Sequence, residues 1–257
     1  MNPIKKAESI MSLLDINSPD DIDIELIANF FDISVKRKKL DGSSARLLCV
    51  KGSASITISN SEQYTPRIRF SIAHELGHYF LHRGAKNIFS CSESNMHDWN
   101  NNNIEAEANL FAANILMPYH IFKESIKLKD YNIKLVANLS NEFSTSISAT
   151  LIRIIDCSRE PCALVCSKNK KIAWIKKNKD FIYITKRNNE NIAEHSFAFD
   201  CFKSMSGPFE GMVPAYAWID DYRTEDEAMI FESSFCISSQ STVLSLLWID
   251  KDIEKSR

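Results

Sequence analysis

The sequence lacks any stretch approaching the ~20 consecutive apolar residues of a membrane-spanning helix, so no membrane partner is expected. Met1 to Ile16 carries two lysines but neither an apolar core of signal-peptide length nor a small-residue cleavage site, which predicts a cytoplasmic location. An excess of charge of one sign is missing too. With 31 basic and 33 acidic residues the formal net charge is -2, leaving no global attraction toward nucleic acid or an acidic surface. The seven cysteines form no CxxC pair, and an odd number without an export signal points to reduced thiols rather than a disulfide framework. Cys157, Cys162 and Cys166 lie near one another, but their spacing misses the metal-knuckle pattern and no fourth ligand is close. Internal repeats and long low-complexity tracts are also absent.

What is present is globular composition, 44% hydrophobic and 25% charged over 257 residues, enough for one large domain or two modest ones. Ile4, Ile10, Leu13 and Leu14 recur at helical spacing and predict a first helix. Asp20 to Ile33, with Ser18 and Asp20 as candidate caps, predicts a second. The period then changes. Val35 with the Lys36–Lys39 run, Ala45 to Val50 and Ala54 to Ile58 predict strands broken at Asp41-Gly42 and Lys51-Gly52. A solvated strand edge accounts for the basic run better than a nucleic-acid patch does.

Thr65-Pro66 is a helix start, and Gly84 after Leu81-His82-Arg83 is a helix stop. The helix between them is apolar on more than one face and should be buried. Cys91 to Asn103 has the composition of a surface loop. The next helix should run from about Asn103 to Pro118, with Ala106, Ala108, Ala112 and Ala113 allowing close approach of a neighbour. Helical patterns continue over Ile121 to Lys129 and Ile133 to Ile155. After Asp156 the texture turns to short aromatic and β-branched segments, CALVC, KIAWI, DFIYITK, VPAYAWI, AMIFESSFCI and TVLSLLWI, read as strands of a separate sheet.

His74-Glu75-Leu76-Gly77-His78 matches HExxH on a predicted helix, where residues four apart share one face and both imidazoles can reach one ion. Glu75, one step round the helix, suits a general base that takes a proton from water and later delivers one to a leaving amine. Catalytic zinc usually takes three protein ligands. His82 continues the face, but the arrangement that uses a third histidine puts it further along, past a chain-turning glycine that is missing here. His82 is therefore read as supporting the site or the helix end. In Glu105-Ala106-Glu107-Ala108-Asn109, Glu105 and Asn109 are one turn apart, so a ligand and a supporting group can face the zinc helix together. Glu107 points nearly opposite and reads as solvated, so geometry favours Glu105.

TPRIRFSIAHELGHYFLH followed by EAEANLFAANILMP resembles the ImmA/IrrE family of bacterial metallopeptidases over roughly residues 5 to 155. The resemblance implies one zinc per chain held by His74, His78 and Glu105, with Glu75 activating the water. It also implies a protein substrate, a helix-turn-helix repressor or antitoxin-like partner, in mobile-element or stress-response regulation. The last hundred residues match no motif.

Two rivals have sequence support. Ile133 to Ile155 has the outline of a helix-turn-helix, but Arg153 is the sole basic side chain on its second helix, so packing against the catalytic helices is favoured over direct nucleic-acid binding. A non-catalytic module that sequesters a repressor or antitoxin would keep the metal but would not need Glu75. The expected architecture is α+β: residues 1–158 a helical zinc-peptidase domain with a small twisted sheet, residues 159–257 a mainly β domain of open role, whether sensing a ligand, binding the substrate or covering the catalytic domain. Tyr79, His97, Tyr119 and His120 lie near the motifs as candidate oxyanion donors, and nothing selects among them.

Overall fold

Asn2 accepts the Lys5 amide and Pro3 supplies the first helical φ, so α1 (Pro3–Leu13) begins where the local chemistry asks it to. The computed structural model describes residues 2–40, 43–50, 52–82, 88–91, 103–127, 129–183, 185–220, 228–237 and 241–249. The chain is α+β and forms two compact units, Met1–Ser125 with Leu139–Ser146, and Ile126–Asn138 with Ile147–Arg257. The chain thus passes between units inside the segment from 125 to 147.

In the first unit, α2 (Ile24–Phe30) is shorter than the Asp20–Ile33 pattern suggests. Asp23 caps it by accepting the Glu25 and Leu26 amides, and the preceding Pro19–Asp21 forms a separate 3-10 turn. The sheet runs β1 (Ile33–Lys38), β3 (Ser53–Ser59), β2 (Ala45–Val50), β4 (Ile88–Cys91), with β1 parallel to β3 and the other pairs antiparallel. Lys36, Arg37 and Lys38 are exposed on the edge strand β1. Ala54, Ile56, Ile58, Ala45 and Leu47 alternate inward. Against β2 and β3 packs α3 (Thr65–His82), and α4 (Asn103–Leu116) packs on α3. In turn α1 rests on α4, and α5 (Tyr119–Ser125) follows after Pro118. The Gly84 stop and the loop over 92–102 lie outside the described residues, but Cys91, read as part of that loop, ends a strand.

The second unit is a five-stranded antiparallel sheet in the order β6 (Lys171–Lys177), β5 (Cys162–Lys168), β9 (Thr242–Trp248), β8 (Met229–Ile237), β7 (Phe209–Pro214). On one face, Ala163, Val165, Val243, Leu247 and Ile230 pack with α8 (Phe197–Ser204) and with Trp218 and Ile219. On the other, α7 (Ile147–Cys157) covers β5 and β6. Two covered faces explain why these strands read as unbroken apolar runs. The second helix of the helix-turn-helix outline thus packs on the second sheet. Helix α6 (Ile133–Glu142) precedes it, and Arg153, the cation a base-reading helix would present there, is buried.

Two segments expected as strands are so only in part or not at all. Of the second, Val213 and Pro214 end β7 while Ala215–Ala217 forms a 3-10 turn, and the first, 180–186, contributes among its described residues the isolated bridge Thr185 to Ile219. Phe181 and Trp218 are buried as loop side chains instead. Helix α8 was not anticipated. Ser196 caps it locally, while Glu232 from β8 accepts the Ala198 amide at 2.7 Å.

Candidate metal centre

The Arg67 and Ile68 amides donate to the Tyr64 carbonyl, so α3 starts at the Thr65-Pro66 signal and carries the HExxH residues into the interior of the first unit. His74, Glu75, Gly77 and His78 are all buried there. The four-residue spacing stacks His74 and His78 edge to face, ring centroids 4.7 Å apart, with their Nε2 atoms 3.0 Å apart. Glu105, in the first turn of α4, brings its Oε2 to 3.2 Å from His74 Nε2 and 3.5 Å from His78 Nε2. Among the described residues this is the one His/Cys/Asp/Glu group whose donor atoms converge in this way.

Outer contacts orient both imidazoles. Asn109 Oδ1 lies 2.9 Å from His74 Nδ1, an acceptor that places the proton on Nδ1 and leaves Nε2 bare. His78 Nδ1 meets His82 Nδ1 at 3.3 Å, and His82 Nε2 lies 2.8 Å from Glu107 Oε2. Asn109 and His82 thus stand beside the cluster. Glu107, read as solvated, instead reaches α3. The sequence signal that could have found it is the four-residue offset between Glu107 and buried Phe111, which meets Phe80 of α3, read together with His82 one turn beyond His78.

Burial pushes the His78 imidazole below its ordinary pKa, favouring the neutral form that can donate a lone pair. Two lone pairs and one anionic oxygen therefore point into one small volume, an arrangement that needs a cation. Tetrahedral zinc with N and O ligands sets donor atoms about 3.3 to 3.5 Å apart, and the observed separations of 3.0, 3.2 and 3.5 Å lie at or slightly below that range. The residues fit a divalent metal.

Of the candidate oxyanion donors, Tyr119 and His120 are exposed at the start of α5, Tyr79 packs edge-on against Phe80, and His97 lies outside the described residues. The Cys157, Cys162 and Cys166 trio is buried and free of disulfides, and burial pushes the Cys162 thiol up to about 12, the opposite of what a thiolate ligand needs. No described helix is long and apolar enough to cross a membrane.

Comparison with known proteins adds three findings. The Peptidase_M78 family, described as the IrrE N-terminal-like domain, matches residues 28–154, a span that includes both helices of the cluster. No curated protein matches the chain. Among solved structures, a Mycobacterium tuberculosis transcriptional regulator shares the fold with a TM-score of 0.60, covering 98% of this chain and 78% of its own at 14% identity.

Proposed function

The chain belongs, through residues 28–154, to the IrrE N-terminal-like family of M78 peptidases, and on that footing we propose that it is a zinc-dependent endopeptidase acting on a protein substrate. The observation that carries this reading is the convergence of His74 Nε2, His78 Nε2 and Glu105 Oε2 within 3.5 Å beside a buried Glu75. In it, His74, His78 and Glu105 hold the metal. When bound, zinc supplies Lewis acidity toward water and toward a peptide carbonyl. Glu75 takes the proton of the attacking water and returns one to the leaving amine. The dry surroundings of α3 strengthen each of these electrostatic effects by lowering the local dielectric.

The substrate we propose is a helix-turn-helix repressor or antitoxin-like protein, which makes the enzyme a regulator of stress-response or mobile-element genes. The likeness of its domain to that of IrrE supports this, and the fold shared with a mycobacterial transcriptional regulator is in keeping with it. A cytoplasmic setting is in keeping with Cys162, Cys166, Cys201 and Cys236 being free thiols. Residues 159–257, the larger part of the second unit, are proposed to sense a ligand or bind the substrate.

Metal analysis of the purified chain beside His74→Ala and Glu105→Ala tests the foundation, with one zinc per wild-type chain and loss from both folded variants expected. A folded wild type that stays metal-free after zinc addition overturns the reading. Glu75→Gln then separates catalysis from sequestration: it should keep the metal and lose cleavage of the substrate. Regulation that survives Glu75→Gln would instead establish the binding module.

A further inference from the structure

Two glutamates of one helix reach the same facing helix, and only one of them joins the metal cluster. Glu107 Oε2 lies 2.8 Å from His82 Nε2, and His82 Nδ1 lies 3.3 Å from His78 Nδ1. His82 is 8% exposed and Glu107 about one third exposed, so the outer end of this chain of contacts is anchored near water and the inner end is dry.

The contacts determine where the protons sit. A carboxylate oxygen only accepts, so the His82 nitrogen facing Glu107 must carry a hydrogen. A neutral imidazole has one N–H, and His82 Nδ1 is then a bare acceptor. One proton must lie between the two facing Nδ1 atoms, and it belongs to His78. That leaves the His78 Nε2 lone pair aimed at His74 and Glu105, the form a metal ligand requires. Without Glu107, His82 has no fixed tautomer. It can then donate from Nδ1, which would force His78 to carry its proton on Nε2, inside the cluster.

We propose that Glu107 is a positioning residue: acting through His82, it locks His78 in the Nδ1–H tautomer and so prepares the metal site. The inference deepens the metal-site reading and rests on it. His74 reaches the same end by a different route, the direct contact with Asn109, so the two ligand histidines are oriented independently.

The test has two arms on the full-length chain. Long-range nitrogen–proton NMR of the metal-free protein at about pH 8, where free histidines are neutral, should show His82 as the Nε2–H tautomer and His78 as the Nδ1–H tautomer. In Glu107→Ala the His78 signal should shift toward the other tautomer, and Glu107→Gln, which keeps an acceptor oxygen, should restore it. In the second arm, zinc affinity measured against a chromophoric chelator should fall about 10- to 100-fold in Glu107→Ala and recover in Glu107→Gln. Because Glu107 acts through His82, its removal should cost nothing further in a His82→Ala background. Unchanged tautomers, or wild-type affinity in a folded Glu107→Ala chain, overturn the relay while leaving the metal site standing. Failure of the wild type to bind zinc overturns both.

Discussion

Gly77 lies so close to Ala108 that a Cβ placed on it would sit 3.0 Å from the Ala108 Cα and 3.1 Å from its carbonyl oxygen. Those atoms are backbone, so space can be made only by moving one helix. The glycine of HExxH and the alanine of EAEAN thereby set the approach of α3 to α4, and with it the reach of Glu105 to His74 and His78. Gly77→Ala should gain helix propensity worth up to about 1 kcal/mol yet lose about 1 to 3 kcal/mol to overpacking. A lowered melting temperature with weakened zinc binding is expected. Wild-type values for both would show that the contact does not control the site.

Asn109 orients His74 by accepting from its Nδ1. Asn109→Leu removes that acceptor and leaves a buried N–H unsatisfied, so zinc affinity should drop about tenfold or more. Asn109→Asp keeps an acceptor and should retain most of the affinity. Chelator competition on the two variants decides the matter, and equal affinities would contradict this role.

Glu232 is fully buried and accepts from Ala198 N, Trp218 Nε1 and Ser234 Oγ. Burial raises its pKa, and hydrogen bonds from Ser234, Trp218 and the Ala198 amide offset part of that rise. Glu232→Ala strands these donors at the start of α8 and should cost about 3 kcal/mol or more in urea unfolding. Glu232→Gln, which keeps one acceptor oxygen, should cost less. A loss below 1 kcal/mol for Glu232→Ala, on the order of a surface substitution, would show that the network is incidental.

Tyr131 is buried and shares a hydrogen bond with Ser158 at 2.8 Å; burial pushes its phenol up to about 12 from the ordinary 10.0. The folded state therefore holds more protons than the unfolded state between those values. Stability is intact below pH 10 and falls as pH rises toward about 12. In an ultraviolet tyrosinate titration of the folded chain, one of the seven tyrosines should ionise late, and Tyr131→Phe should remove that step. Seven tyrosines titrating together would refute the assignment.

Cys162 and Cys201 are buried with thiols pushed up to about 12, and Cys166 to about 11, in each case by burial first. Cys49 and Cys236 are only partly buried. Mass spectrometry after brief alkylation of the folded chain should find Cys49 and Cys236 modified and these three spared until denaturant is added. Early modification of Cys162 would place it in a more open setting than the structure does.

Local geometry carried much of this molecule into the sequence. A four-residue spacing on a helix stacks His74 over His78, and the one-turn spacing of Glu105 and Asn109 faces both toward a neighbour. Those relations follow from the helical period alone, whatever the rest of the chain does. The strands of the second sheet were likewise legible where apolar residues ran unbroken. The pattern failed at the described residues of 180–186 and at Ala215–Ala217, because aromatic residues that plug a sheet face from a loop have the same composition as a strand. It failed again at α8, whose start draws on Glu232, 34 residues from the Ala198 amide it accepts.

The sequence by itself determined which histidines share a face and which glutamate is in phase with them. Only the tertiary structure decided that Glu107 is used as well. Helical phase turns Glu107 away from Glu105, but the close approach of α4 to α3 at Gly77 and Ala108 brings both within reach of the same helix at different heights. Contacts of that kind depend on how near two helix backbones come, a quantity that short-range periodicity does not encode.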